Sequence, residues 1–163
     1  MNRKTIAFVS TVPQTLWYFA RPHWAGLKRS GYEVVAVSSP GRFLDQCREA
    51  GASVFAIPLH RAITPLKDLV AVIRMCLLLR RIRPVLVHTH TPKAGFIGMI
   101  AAAVAGVRTR VYTFNGAVWL VGPQWKRRLL MYADALACRL ATSVVCVSPS
   151  LRAAVIEAGV CDG

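Results

Sequence analysis

Short runs of apolar, mostly β-branched residues alternate with helix-like patterns along the whole chain. Examples are Ile6–Val9, Val34–Val37 and Val144–Val147. Each run is apolar at nearly every position, which is typical of strands covered on both faces in a parallel sheet. Repeated strand–helix–strand units place such strands side by side through right-handed crossovers. The pattern therefore predicts an α/β fold: a Rossmann-like, doubly wound, mainly parallel six-stranded sheet with helices on both faces.

Turn and capping residues set the predicted boundaries of these elements. Thr64, Thr91 and Ser148 each precede a proline, which indicates an N-cap followed by proline at the first helical position. Glycines follow several predicted helices, where a left-handed backbone is common. The predicted strands are 5–10, 33–38, 53–58, 84–88, 109–113 and 143–147, and the predicted helices are 15–30, 41–50, 65–83, 92–105, 123–141 and 149–158.

The bulk composition fits one folded domain over residues 1–163. A hydrophobic content of 55% excludes disorder. No apolar run reaches the roughly 20 residues that a membrane-spanning helix needs. The N-terminal run Ile6–Val9 is too short for a signal peptide, so the sequence predicts a cytoplasmic chain. The five cysteines are odd in number and form no C-x-x-C pair, which favours reduced thiols.

The strongly basic charge limits the classes of partner. A net charge of +14 should attract nucleic acid, anionic lipid headgroups or phosphorylated substrates. We exclude nucleic acid, because the sequence has no recognition helix, aromatic RNA platform or zinc finger. No cofactor is predicted either. The turn after the first strand lacks the glycines of a dinucleotide site, and Gly116–Gly122 lacks the ending of a phosphate-binding loop.

Polar residues follow the fourth predicted strand, at the sheet edge where such folds bind ligands. His88 and His90 share one face of the strand. A metal site would need further ligands, and only two other histidines exist, so no metal is predicted. Lys93 lies in the first turn of the next helix, where the helix dipole disfavours a cation. Two interpretations stay open: Lys93 and the helix N-terminus bind an anion, or Lys93 points into solvent.

A basic and aromatic segment opens the predicted helix 123–141. Lys126, Arg127 and Arg128 lie at its start, where cations are again unfavourable. Together with Trp119 and Trp125 they predict an interfacial anchor for an anionic membrane, and a solvated basic turn is the alternative. The aromatic stretch from Trp17 to Trp24 is a second candidate. The apolar positions predicted to be buried on this helix are Trp125, Leu129, Tyr132, Leu136 and Leu140.

Six motifs carry a family resemblance: STVPQTL, GYEVVAVSSPG, ITPLKDLVAV, RPVLVHTHTPKAGFIGMIAA, YTFNG and CRLATSVVCVSPSLR. The most specific are His88–Gly95 and VCVSPSLR. Together they resemble the N-terminal half of family 4 glycosyltransferases with the two-domain GT-B fold. The nearest branch extends lipid-linked surface polysaccharides. The resemblance covers essentially the whole chain.

This resemblance implies a function shared between two domains. The N-terminal domain of the family holds the acceptor, and the C-terminal domain binds the nucleotide-sugar co-substrate with acidic residues. It implies a retaining enzyme that moves a sugar to a polyprenyl-diphosphate-linked glycan at the cytoplasmic membrane face. The sequence stops before the nucleotide-sugar domain, so we expect a fragment, a truncated product or one subunit of a split enzyme, inactive alone. The alternative is a non-catalytic subunit that recruits a donor-domain subunit to the membrane.

The resemblance also implies roles for individual residues. Thr11 and Pro13 would lie near the donor phosphates and the acceptor head. His90, Thr91 and Lys93 would line the acceptor pocket, and Ser148 and Ser150 would face the cleft. Asn115 and Gly116 stand where the family commonly has His-Gly, so no catalytic residue is assigned.

Overall fold

A single parallel sheet organises the protein. We describe a computed structural model covering residues 4–120 and 123–161, without the side chain of Trp125. Within these residues six strands pair in the order β3-β2-β1-β4-β5-β6, and every pairing is parallel. The predicted fold class is confirmed. The strands are β1 (Lys4–Ser10), β2 (Tyr32–Ser38), β3 (Ser53–Ala56), β4 (Leu86–His90), β5 (Thr109–Phe114) and β6 (Ser143–Cys146).

Helices follow the strands as predicted, with one irregular segment. The predicted helix 15–30 consists of α1 (Pro13–Thr15), a π-helical segment (Leu16–Ala20) and α2 (Arg21–Arg29). A short 3₁₀ turn, Val118–Leu120, was not predicted. The remaining helices are α3 (Arg42–Glu49), α4 (Pro65–Ile82), α5 (Pro92–Val104), α6 (Gln124–Leu140) and α7 (Pro149–Glu157).

The sheet separates two hydrophobic clusters because successive side chains of a strand point to opposite faces. In β1, Ile6 and Phe8 pack with Leu16, from the π-helical segment, on one face. Ala7 and Val9 face the larger cluster, which contains residues of α4, α5 and α6. Helices therefore cover both faces of the sheet.

Only one of the three predicted side-chain caps forms. Ser148 accepts a hydrogen bond from the Leu151 backbone N–H at the start of α7. The Thr64 hydroxyl instead donates to Asp68, and the Thr91 hydroxyl bonds to Thr11 across the sheet. The glycine prediction is confirmed, since Gly31, Gly51, Gly106 and Gly159 all have positive φ.

Helix α5 lies unusually close to the sheet beneath it. A Cβ added at Gly95 would fall 2.7 Å from Cζ of Tyr112, and one at Gly98 would fall 2.6 Å from Cγ2 of Thr89. Both distances are far inside van der Waals contact. Glycine at these positions thus fixes the depth of α5, whose first turn borders the carboxyl edge of the sheet.

Candidate functional site

The strand order changes direction between β1 and β4. The chain leaves β1 towards β2 and β3, and then returns to β4 on the other side. Ligands of such sheets bind outside the carboxyl ends of the strands at this switch point. Thr11 follows β1 and Thr91 follows β4, and their hydroxyl oxygens are 2.8 Å apart. Asn115 follows β5, and its Oδ1 accepts the Thr91 N–H at 3.3 Å. Three predicted site residues therefore meet at this edge.

Thr91 has a backbone conformation that a β-branched residue rarely adopts, with φ 73° and ψ 146°. Such conformations are strained, and they persist only where surrounding contacts hold them in place. Here Thr11 holds the hydroxyl and Asn115 holds the backbone N–H. Strained residues of this kind concentrate at ligand-binding sites, which supports a site centred on Thr91.

Two neutral histidines of strand β4 lie next to this cluster. The His88 and His90 ring centroids are 4.3 Å apart, and His88 Nε2 lies 2.7 Å from the Thr113 hydroxyl. Burial, reinforced by the nearby His23, lowers the pKa of His88 to about 4. Burial and the neighbouring His88 lower the pKa of His90 to about 3, although the side chain of Asn115 acts in the opposite direction. Both rings are thus uncharged at neutral pH.

Several buried polar atoms at this edge lack a partner within the described residues. They are both ring nitrogens of His90 and the hydroxyls of Ser10 and Ser38. Ser10 lies beside His90 in the strand register. Since buried polar groups are nearly always hydrogen-bonded, these atoms can be satisfied by a bound ligand or water. Ser10 and Ser38 end apolar strands at the edge predicted to bind ligands, but neither was among the predicted site residues.

Lys93 has a partner that neither interpretation anticipated. Its ammonium lies 2.5 Å from Asp68 Oδ2 and 2.9 Å from the Ala62 carbonyl oxygen. Both side chains of the ion pair are about 85% buried, with 16% and 15% exposed. Lys93 therefore does not point freely into solvent. Anion binding by Lys93 stays a prediction, and it would have to compete with Asp68.

The other predicted site residues lie around the same sheet edge. Pro13 is buried at the first position of α1. Gly116 follows Asn115, and no atom lies within 4 Å of a Cβ added there, so its backbone borders open space. Ser148 and Ser150 bond to each other at 3.0 Å at the start of α7, one strand further from the switch point.

The predicted membrane role of Trp119 is wrong. Its side chain is only 1% exposed, and its Nε1 donates to Asp134 Oδ2 at 3.0 Å. The Tyr112 hydroxyl donates to the other carboxylate oxygen at 2.9 Å. Asp134, a buried acid in the middle of α6, thus provides the acceptor that holds the indole inside the protein.

The face that α6 buries also differs from the prediction. Leu129, Tyr132 and Leu136 were predicted to be buried, but they are 50%, 74% and 39% exposed. Instead Asp134, Ala137 and Cys138 face the core.

The remaining residues of the predicted membrane anchors have different surroundings. Arg127 and Arg128 are exposed and Lys126 is partly buried, whereas the Trp125 side chain lies outside the described residues. In the second candidate segment, Trp24 is buried while Tyr18 and Phe19 are exposed.

Two kinds of feature are absent from the part of the chain that the structure describes. No group of three or more His, Cys, Asp or Glu side chains there could hold a metal ion. No helix among them is long and apolar enough to cross a membrane.

The fold and the polar site at its switch point define a Rossmann-like domain of the kind found in GT-B glycosyltransferases. Residues 16–162 match the family model described as a glycosyl transferase 4-like domain. The chain belongs to this family.

Two curated relatives are similar in sequence. The capsular polysaccharide biosynthesis glycosyltransferase CapM of Staphylococcus aureus is 34% identical over 130 residues, which is 80% of this chain and 34% of the relative. The Escherichia coli UDP-Gal:alpha-D-GlcNAc-diphosphoundecaprenol alpha-1,3-galactosyltransferase is 29% identical over 108 residues, covering 66% of this chain and 28% of that enzyme. The matched part thus corresponds to about a third of each relative's length.

Solved structures share the fold at low sequence identity. A glycosyltransferase from Rickettsia africae has a TM-score of 0.73 at 16% identity, and the match covers 96% of this chain and 40% of that one. Anabaena HepE, solved in complex with UDP and glucose, has a TM-score of 0.70 at 21% identity, covering 96% and 41%.

Proposed function

We propose that this chain forms the acceptor-binding half of a retaining glycosyltransferase. The reaction would move a sugar from a nucleotide-sugar to a polyprenyl-diphosphate-linked glycan during cell-surface polysaccharide synthesis, at the cytoplasmic face of the membrane. The observation that carries the proposal is the meeting of Thr11, Thr91 and Asn115 at the switch point, next to His90, whose ring nitrogens have no hydrogen-bond partner of good geometry among the described residues. The name of the CapM relative supports a role in capsular polysaccharide synthesis, and the name of the galactosyltransferase relative supports a polyprenyl-diphosphate-linked acceptor.

The chemistry of the cluster suits binding and orienting a sugar. Hydroxyl, amide and neutral imidazole groups can donate and accept hydrogen bonds without carrying charge, as sugar hydroxyls require. The N-terminus of α5 and Lys93 lie next to this cluster and provide donors for a diphosphate. The nucleotide-sugar would come from a donor-binding domain or subunit. Asn115 has no titratable proton, so the proposal gives it an orienting role.

A soluble acceptor analogue tests the proposal directly. We expect farnesyl-diphosphate-linked N-acetylglucosamine to bind the chain, measured by isothermal titration calorimetry. Thr91→Val keeps the side-chain shape but removes the hydroxyl. It should weaken binding about tenfold, because that is the typical loss of affinity when one hydrogen bond to a charged or buried group is removed. Thr109→Val, an exposed position at the opposite end of β5, is the matched control and should bind like wild type.

Two results would contradict the proposal. One is an absence of binding at millimolar analogue, and the other is unchanged affinity in Thr91→Val. If the chain binds vesicles but not the analogue, a non-catalytic recruiting subunit becomes the better explanation.

The Lys93–Asp68 ion pair gives a second prediction about the acceptor diphosphate. If the diphosphate competes with Asp68 for Lys93, then Asp68→Asn should tighten analogue binding several-fold, because it releases the ammonium. Lys93→Met should weaken binding, with an effect of order tenfold. Calorimetry with N-acetylglucosamine alone is the control, since neither substitution should change its affinity. Equal effects on both ligands would show that Lys93 does not contact the diphosphate.

A further inference from the structure

Helix α4 is apolar on both of its faces. Ala71, Met75 and Leu79 point into the core, as expected for a helix that covers a sheet. The opposite face is also apolar, although the domain leaves it exposed. A helix that is apolar all round is normally buried on all sides. The exposed residues are Leu66 (81%), Leu69 (57%), Val70 (47%), Ile73 (49%) and Leu77 (61%), and we call them the α4 stripe.

A line of cations borders the α4 stripe. Lys67, Arg74 and Arg81 repeat at seven-residue intervals, and 3.6 residues per turn place them along one flank of the exposed face. The sequence contains no aspartate or glutamate between Leu69 and Ala133. The one acid of the helix, Asp68, is paired with Lys93. The exposed side of α4 thus combines apolar and positively charged groups only.

A cavity adjoins the first half of the stripe. It has a volume of about 270 Å³ and is lined in part by Ile57, Val70 and Ala71, with Lys67, Arg74 and His60 also among its lining residues. The apolar lining can accommodate an acyl chain, and the two cations beside it can contact an anionic headgroup.

We propose that the α4 stripe and its line of cations dock on an anionic lipid bilayer, with the helix axis parallel to the membrane surface. Amphipathic helices bind this way when an apolar face enters the headgroup boundary and basic residues contact anionic lipid. The stripe runs from Leu66 to Leu77, and these eleven steps span about 16 Å at 1.5 Å per residue. A second copy of the chain fits less well, because two such surfaces would bring like charges together.

The docking surface lies close to the candidate site. Asp68, in the first turn of α4, binds Lys93 in the first turn of α5. Docking through α4 would therefore hold the site beside the bilayer that carries a lipid-linked acceptor. The docking itself does not depend on the proposed sugar transfer, and vesicles without any glycan test it.

The experiment is vesicle flotation with the full chain. Vesicles contain phosphatidylglycerol and phosphatidylethanolamine, or phosphatidylcholine alone. We expect binding to the anionic vesicles and much weaker binding to the neutral ones. Leu66→Gln/Ile73→Gln/Leu77→Gln should weaken partitioning about 100-fold, because it removes the favourable transfer of three apolar side chains from water into the bilayer. The matched control is Leu129→Gln/Tyr132→Gln/Leu136→Gln, three comparably exposed positions on α6, which should bind like wild type.

The contribution of charge has its own pair of variants. Lys67→Gln/Arg74→Gln/Arg81→Gln should weaken binding by of order 100-fold at low salt, and less as ionic strength rises. Arg29→Gln/Arg108→Gln/Arg152→Gln makes the same change in net charge at exposed positions elsewhere and should have a much smaller effect. Far-ultraviolet circular dichroism and thermal unfolding confirm that each variant is folded.

Three outcomes would overturn the proposal. The first is unchanged binding of the α4 Gln variant, and the second is an equal loss in the α6 control. The third concerns a second copy of the chain. If light scattering shows a dimer that the α4 Gln variant converts to monomer without vesicles, the stripe is a dimer interface.

Discussion

Replacing Asp134 with alanine is expected to lower the free energy of unfolding by about 1–2 kcal/mol at pH 7. The carboxylate accepts hydrogen bonds from the Tyr112 hydroxyl and the Trp119 indole, and all three groups are buried. Alanine leaves two buried donors unsatisfied, at about 1–3 kcal/mol each, whereas the removal of an ion that is itself costly to bury offsets part of this loss. Urea denaturation followed by tryptophan fluorescence measures the loss. A change below about 0.5 kcal/mol, the usual range for surface substitutions, would contradict this account of the network.

The matched variant Asp134→Asn separates hydrogen bonding from charge. The amide oxygen can accept from Trp119 and the amide N–H can donate to the Tyr112 oxygen, so each partner keeps one hydrogen bond. Burial raises the pKa of Asp134 from 3.8 to about 6, although the bonds from Tyr112 and Trp119 oppose the rise. A raised pKa means that the folded state holds its proton longer than the unfolded state. Asp134 therefore destabilises the fold as pH increases from about 4 to above 6, by about 3 kcal/mol in total.

The asparagine variant should lack this dependence. Its stability relative to wild type should increase by about 1 kcal/mol between pH 5 and pH 7, the part of the window accessible to denaturation experiments. A constant difference between the two proteins across that range would show that Asp134 titrates normally.

The second large effect is a loss of stability in acid caused by His88 and His90. Their pKa values are lowered from 6.5 to about 4 and about 3, chiefly by burial. Above about pH 7.5 both rings are neutral in the folded and unfolded states, and the contribution is constant. Below pH 6.5 only the unfolded chain takes up the protons, so stability falls. Each histidine should contribute a loss of about 2 kcal/mol between pH 6.5 and pH 5.

The control is His88→Gln/His90→Gln, which keeps polar side chains but cannot titrate in this range. Chemical denaturation of both proteins from pH 7.5 to pH 5 should show wild type losing about 4 kcal/mol more than the double variant. Asp134 acts in the opposite direction in this window, but it is present in both proteins and cancels from the comparison. Parallel stability profiles would contradict the lowered pKa values.

The sheet could be predicted from the sequence because its strands are buried on both faces. Continuous apolar runs such as Ile6–Val9 are typical of buried parallel strands and of few other elements. The prolines and glycines between them mark the turns. The carboxyl-edge position of Thr11, Thr91 and Asn115 followed from the same reasoning, since parallel strands all end at one edge. Boundaries differed by a few residues, as for β4, which begins at Leu86 and includes both histidines.

The side-chain partners could not be predicted, because they depend on contacts between distant elements. Trp119 is buried since Asp134 accepts its N–H, and fifteen residues separate the two in sequence. Lys93 meets Asp68, twenty-five residues away. The apolar residues of α6 gave the correct period but the wrong buried face. Helix α6 packs against α5 through the small apolar face around Ala137. The larger residues Leu129 and Tyr132 therefore stay exposed to solvent.

The pairing of β1 with β4 has a consequence for how the chain folds as it is synthesised. Thr11 and Thr91 are 80 residues apart in sequence, although their hydroxyls touch. Until residue 90 has left the ribosome, one side of β1 is an open sheet edge carrying the apolar run Ile6–Val9. Open edges of this kind pair readily with other chains, and non-local parallel pairing forms slowly. The pairing of β1 with β4 therefore has two effects late in synthesis. It brings the residues of the candidate site together, and it covers the open edge that could aggregate.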